Sequence, residues 1–115
     1  MKIDKSFMTG STTMLILKLL DNGDMYGYQM IEELKQRSES VFTLKAGTLY
    51  PILHTLEQQG MVESYDQLSN NVRPRKYYRI TKRGKELFQE KKSEWATYTS
   101  IVNKVLGGSN YAIIW

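Results

Sequence analysis

The stretch 45-KAGTLYPILHTLEQQGMVES-64 combines helical spacing with a proline. Leu49, Ile52, Leu53 and Leu56 recur three and four residues apart, which lines up one apolar stripe along a helix. Pro51 breaks a helix interior, because it has no N–H and its ring crowds the preceding turn. The first four N–H groups of any helix lack an intrahelical acceptor, however. A helix starting between Ala46 and Thr48 would hold Pro51 in or at the edge of that first turn, where its fixed φ is suitable. Gly60 suits the position just past the helix end. The spacing therefore predicts a helix from about Ala46 to Gly60. Its other face carries Lys45, Thr48, Tyr50, Pro51, His54 and Thr55, and needs a partner of its own.

Upstream, Thr9 or Ser11 can cap a helix running to about Leu20, and 14-MLILKLL-20 is apolar on nearly every side. Such a helix needs burial on more than one face. Asp21-Asn22-Gly23-Asp24 stops it. A second helix, 27-GYQMIEELKQRS-38, has a narrower stripe of Met30, Ile31 and Leu34, and residues 39–45 connect it to the third. Downstream, 61-MVESY-65 and 76-KYYRI-80 read as two short strands joined by the loop 66-DQLSNNVRPR-75. Thr81 is a suitable N-cap for a last helix reaching about Leu106, with Gly107-Gly108 beyond it and a short apolar tail, SNYAIIW.

Along that last helix, Phe88, Lys91, Trp95, Tyr98, Val102 and Val105 keep a/d spacing, with Lys91 the one polar member. The stripe either packs back on its own core or meets a second copy. A helix of about 25 residues is long for so small a domain, and the all-round apolar first helix also asks for more burial. The reading is therefore a dimer seam made by Phe88, Trp95, Tyr98, Val102 and Val105. From periodicity alone, Trp95 is a packing residue before it is a ligand contact.

The chain has 115 residues, enough for one domain with a modest core. It has no cysteine, hence no disulfide or thiolate metal site, and its single histidine, His54, leaves no set of metal ligands. No metal and no cofactor are expected. No run of 18 apolar residues and no signal-peptide pattern occurs, so the expected location is the cytoplasm and no membrane partner is implied. One histidine, no cysteine and no carboxylate pair in a conspicuous polar motif also argue against an enzyme.

The formal net charge is +4. Arg73, Arg75, Lys76, Arg79, Lys82, Arg83 and Lys85 crowd into one segment, and no acid occurs between Asp66 and Glu86. The rest of the chain carries more acids than bases. Such a patch either neutralises phosphates or is a solvated charged loop.

Three helices, a hairpin and a long helix define a mainly α fold with a small β-hairpin wing: a winged helix-turn-helix plus a long C-terminal helix. Residues 1–80 would form the DNA-binding domain, 81–106 a dimerisation helix and 107–115 a tail. In a winged helix-turn-helix the third helix enters the major groove and the wing touches the backbone or minor groove nearby. Lys45, Gly47, Thr48, Tyr50 and Pro51 would then face DNA, with Arg73, Arg75 and Lys76 on the wing. His54 either contacts DNA or is simply exposed. Tyr26 and Tyr28 either donate to phosphates or pack.

The segments 26-YGYQMIEEL-34, 47-GTLYPILHTLEQQGMV-62 and 75-RKYYRITKRGKEL-87, in this order and spacing, resemble the PadR family of bacterial transcriptional regulators. With one helix after the wing, the chain is similar to the family's short subgroup, which has a single C-terminal dimerisation helix. The resemblance implies a homodimer that binds a palindromic or near-palindromic operator in double-stranded DNA and usually represses transcription. It also implies a multidrug-binding pore between subunits, where a small aromatic or hydrophobic effector is sandwiched between paired tryptophans. Trp95 falls where that tryptophan would be, and Phe7, Met14, Lys18 and Thr99 would line the pore. Met14 and Lys18 are larger than an open pore favours, which implies a narrower site or one closed without ligand. The alternative is a winged-helix protein–protein interaction module whose basic wing meets an acidic partner.

Overall fold

The computed structural model describes residues 3, 6, 10–69 and 73–108, and of Ser69 and Arg73 the backbone only. Phe7 and most of the C-terminal tail lie outside the described residues. Among these, the order is α1 (Thr12–Asp21), β1 (Met25–Tyr26), α2 (Gly27–Arg37), α3 (Ala46–Gln58), β2 (Val62–Ser69), β3 (Arg73–Ile80) and α4 (Lys82–Val105).

Helix α1 is the centre of the core. Its Ile16, Leu17, Leu19 and Leu20 are buried, and it packs against α2, β3 and the start of α4. Most of the burial its composition demands is thus met within the chain, while Met14 and Leu15 near its start stay half-buried. Met30 and Leu34 of α2 and Leu49, Leu53 and Leu56 of α3 close the core from the helix-turn-helix side, with Ile52 half-buried.

Helix α2 ends in two consecutive left-handed residues, Glu39 at φ 53° and Ser40 at φ 68°. The Ser40 N–H donates to the Lys35 carbonyl at 2.8 Å and the Glu39 N–H to Gln36 at 3.1 Å, which closes the last turn. Glycine usually takes the Glu39 position, because a Cβ there costs about 1–2 kcal/mol. Glu39→Gly is expected to raise unfolding stability by about 0.5–1 kcal/mol after the entropy that glycine adds to the unfolded chain. An unchanged or lower urea midpoint would refute that account of the turn.

Helix α3 starts at Ala46, so Pro51 is its sixth residue and stands inside the helix, not in its first turn. The hydrogen bond lost is the one to the Gly47 carbonyl. Gly47 and Pro51 are both exposed, so water can satisfy that carbonyl. The other end follows expectation: Gly60 is left-handed at φ 77°, with Met61 N–H donating to Leu56 at 2.9 Å.

The sheet has three antiparallel strands in the order β1-β3-β2. Two features differ from the sequence reading. The two-residue strand β1 pairs Met25 with Tyr78 and Tyr26 with Tyr77, which ties the start of α2 to the wing. The hairpin is also longer, since most of the expected 66–75 loop is strand: Asp66 faces Lys76, Gln67 faces Arg75, and Leu68 faces Pro74. Pro74 is accommodated because β3 has a neighbour on one side only at that point.

Helix α4 begins against the end of α3. The Thr81 N–H donates to the Met61 carbonyl (3.0 Å), and Thr81 Oγ1 donates to Gly60 O (2.7 Å) while accepting from Gly84 N–H (3.0 Å). Gly84 and Phe88 are buried there. Beyond Phe88 the helix leaves the core and almost every residue is exposed. The radius of gyration, 16.4 Å, exceeds the roughly 13 Å of a compact chain this long, as a projecting helix requires. No helix among the described residues is long and apolar enough to cross a membrane.

Candidate nucleic-acid interface

The apolar stripe of α3 turns its polar face outward by default. Lys45, Gly47, Thr48, Tyr50, Pro51 and His54 are all exposed on or just before this helix, as its spacing implies. Tyr50 leans back toward α2, where its hydroxyl occupies the space that a Cβ on Gly27 would need. Glycine at 27 leaves room for the Tyr50 ring in this position; a larger residue there would push the ring outward. Tyr28 is exposed on the first turn of α2, and Tyr26 is half-buried at its N-cap.

On the wing, strand alternation separates residues adjacent in sequence. Val62, Tyr78 and Ile80 are buried against the helices. Lys76 shares their face but lies further out and is exposed, across from Asp66. Arg75, Tyr77 and Arg79 take the opposite, outer face. Arg75 and Lys76 therefore leave the wing on opposite sides. The backbone of Arg73 continues β3, and its side chain lies outside the described residues.

The outer face carries a ladder of rings and cations that the sequence reading did not contain. The Arg75 guanidinium sits 4.6 Å from the centre of the Tyr26 ring. Tyr26 meets Tyr77 edge-on at 5.4 Å, Tyr77 stacks on Tyr65 at 5.8 Å, and Arg79 covers Tyr65 at 4.7 Å. Arg79 is also bound by two carboxylates, Asp24 and Glu63, at 3.3 Å each. These hold its guanidinium further above its ordinary range, Glu63 first and Asp24 next. Arg75 has no acid partner among the described residues, so of the two arginines it alone keeps its N–H donors available.

The Tyr65 hydroxyl donates to Asp24 Oδ2 at 2.6 Å, and this bond raises its pKa. Burial raises that of Tyr78. The folded chain thus holds both protons more tightly than the unfolded chain, whose phenols titrate near 10. Above that pH the unfolded state sheds protons first, so stability is lost as pH rises through the raised values. Urea midpoints are expected to be level up to about pH 10 and to fall above it, less steeply in Tyr65→Phe. A fall of equal slope in both proteins would disprove the Tyr65 contribution.

Along α4, Trp95, Tyr98, Ile101, Val105 and Leu106 are exposed, Tyr98 by 63% and Val105 by 81%. Phe88, expected on the same seam, is 4% exposed and belongs to the chain's own core, because α4 still lies on α1 at that turn. Ile101 was not anticipated and joins the exposed stripe. Between α1 and α4 lies an open cleft of about 650 Å³ lined by Met14, Lys91, Trp95, Tyr98, Thr99 and Val102 among others. Trp95 and Tyr98 are neighbours there, with ring centres 6.4 Å apart. The Thr99 hydroxyl bonds back to the Trp95 carbonyl at 2.9 Å. Lys18, one turn beyond Met14, is exposed and does not line the cleft.

Helix-turn-helix, wing and trailing helix together define the winged helix-turn-helix class. Residues 16–90 match the Transcriptional regulator PadR-like family. Solved structures are similar throughout. A transcriptional regulator from Clostridium thermocellum is 31% identical with a TM-score of 0.80, covering 86% of this chain and 96% of its own. A PadR family transcriptional regulator from Eggerthella lenta is 32% identical with a TM-score of 0.79, covering 88% and 86%. A transcriptional regulator of Mycobacterium tuberculosis is 26% identical over 93% of this chain and 94% of its own. The chain belongs to the PadR-like family of transcriptional regulators, which are not enzymes.

Proposed function

We propose that the chain is a homodimeric, sequence-specific DNA-binding repressor whose operator binding is relieved by a small aromatic or hydrophobic effector. The observation that carries the DNA-binding reading is the outward polar face of α3 beside a wing whose Arg75 has no acid partner among the described residues. Lys45, Gly47, Thr48, Tyr50, Pro51 and His54 would meet the major groove and its phosphates. Tyr28, Arg73, Arg75 and Lys76 would meet the flanking backbone.

Residues 1–80 would read DNA and 81–106 would pair the subunits, leaving 107–115 as a tail. Trp95, Tyr98, Val102 and Val105, with Ile101, form the seam of this reading. A contiguous apolar stripe on a helix projecting from its core supports it, since isolated stripes of this size are unfavourable in water. The two recognition helices would lie about 34 Å apart, one turn of DNA. Tyr98→Glu with Ile101→Glu is expected to convert the dimer to monomer in sedimentation equilibrium. A wild-type chain that is already monomeric at micromolar concentration would end the dimer reading.

The cleft with Trp95, Met14 and Thr99 suits a flat apolar ligand, which would act by biasing the angle between the two DNA-reading units. The deciding experiment is fluorescence anisotropy with DNA from upstream of the chain's own gene, at two salt concentrations and with excess unrelated DNA. Selective, salt-dependent binding supports the repressor reading. Ligand quenching of Trp95 without loss of operator binding would defeat the release mechanism. Absence of DNA binding even at low salt would instead favour the protein-partner role for the wing.

A further inference from the structure

We infer that Tyr26 is a positioning residue for Arg75: its ring holds the guanidinium at the junction of wing and helix-turn-helix, aimed at the DNA backbone. The inference rests on the DNA-binding reading and deepens it by assigning Tyr26 a role through its ring instead of its hydroxyl.

Four observations converge on this. Arg75 lies over the Tyr26 ring at 4.6 Å, within cation–π range. Tyr26 is itself immobilised: β1 pairs it with Tyr77, Tyr77 meets its ring edge-on, and the Gln29 side chain accepts from its backbone N–H at 3.0 Å. Arg79, two residues along the same strand face, is neutralised by Asp24 and Glu63, whereas Arg75 has no acid partner among the described residues. Finally, Tyr26 is the N-cap of α2, so the arginine it holds is referenced to the helix-turn-helix and not only to the hairpin.

A bare arginine on an exposed hairpin would lose rotamer freedom on meeting a phosphate. One already stacked on a fixed ring loses less, while its N–H edge remains open for bidentate contact. The ladder thus divides its two arginines. Arg79 locks the sheet to the turn before β1, and Arg75 is presented outward.

The test uses the full chain and a fluorescein-labelled 30-base-pair mixed-sequence duplex, titrated from low to moderate salt. Arg75→Ala should weaken binding about tenfold and reduce the slope of log affinity against log salt by about 0.9, the loss of one phosphate contact. Tyr26→Leu should weaken it about threefold to tenfold, and the double variant should bind no worse than Arg75→Ala alone. Tyr26→Phe, which keeps the ring, should recover the affinity lost in Tyr26→Leu.

Weakening by Tyr26→Phe equal to that of Tyr26→Leu would overturn the inference in favour of a hydroxyl–phosphate contact. Additive losses in the double variant would overturn it too. Should Tyr26→Leu fail to fold, the NMR shifts of the Arg75 side-chain methylenes in the wild-type protein decide. Ring-current displacement upfield, retained in Tyr26→Phe, supports the stack, and random-coil shifts refute it. A wild-type chain that binds no DNA at low salt fails the DNA-binding reading itself, which the variant pattern does not touch.

Discussion

Reversing both wing charges, Arg75→Glu with Lys76→Glu, is expected to lower DNA affinity by roughly 10²- to 10³-fold at 0.15 M salt. On the proposed reading, each substitution would remove one phosphate neutralisation and add a repulsion. The two side chains leave β3 on opposite faces. They cannot share one phosphate, so their effects should nearly add. Lys92→Glu with Lys104→Glu is the control, since both lysines are exposed on α4 and the change in net charge is the same. An equal loss in the control would show that overall charge governs binding and would discard the wing contacts. Both variants should remain folded, each losing one ring–cation contact, Arg75 on Tyr26 in the wing variant and Lys92 on Phe88 in the control, so a small and similar drop in thermal unfolding is expected.

Gly84→Ala is the substitution expected to damage the fold most for its size. A methyl group at that position would overlap the Met61 carbonyl oxygen and lie 2.8 Å from Ile80 Cγ1 and 3.0 Å from the Met61 carbonyl carbon. Two of those three atoms are backbone, pinned by hydrogen bonds from Thr81, so the site cannot yield by a rotamer change. Overpacking of this kind costs about 2–3 kcal/mol, a large fraction of the stability of a small domain. The urea midpoint should drop accordingly with its slope unchanged. Lys85→Ala, one residue on and exposed, should leave it in place. A wild-type midpoint for Gly84→Ala would mean that α4 is not seated on the end of α3 as described.

Much of the fold is legible in short-range pattern. The leucines of α3 fall on one face because a 3.6-residue period sorts them, and Thr81 and Gly60 mark helix ends by their chemistry. What periodicity does not carry is where a helix parts from its core. Phe88 and Trp95 are one heptad apart and look equivalent in sequence, yet α1 covers the first and not the second. Helix α3 starts at Ala46 as its spacing predicts, but with that start Pro51 is already the sixth residue and lies beyond the first turn. Only a start two residues later, at Thr48, would hold Pro51 within the first four residues, so a proline argument is sensitive to a shift of that size.

The candidate interface was half legible. Residue type and face located the polar side of α3 and the basic wing. The ring ladder was not accessible, although Arg75, Tyr77 and Arg79 alternate visibly, because Ser69, Asn70, Asn71 and Pro74 read as a loop and hid the strand. Its remaining members come from far away in the chain: Tyr65 and Asp24 are 41 residues apart. The two-residue β1 that brings Tyr26 onto the sheet is too short to show any period.

The joint at Thr81 has a mechanical consequence. The last helix is fastened where α3 ends, by hydrogen bonds from Thr81 to the Gly60 and Met61 carbonyls. Trp95 lies roughly 21 Å out along that arm, at 1.5 Å per residue. Tilting the whole helix on its seat by about 10° would carry the tryptophan roughly 4 Å sideways, and the seat is fastened to the foot of α3 through Thr81, Gly84 and Phe88. In the proposed dimer, a wedge driven between two such helices would be passed on as a small, stiff turn of each α3, with little slack to absorb it.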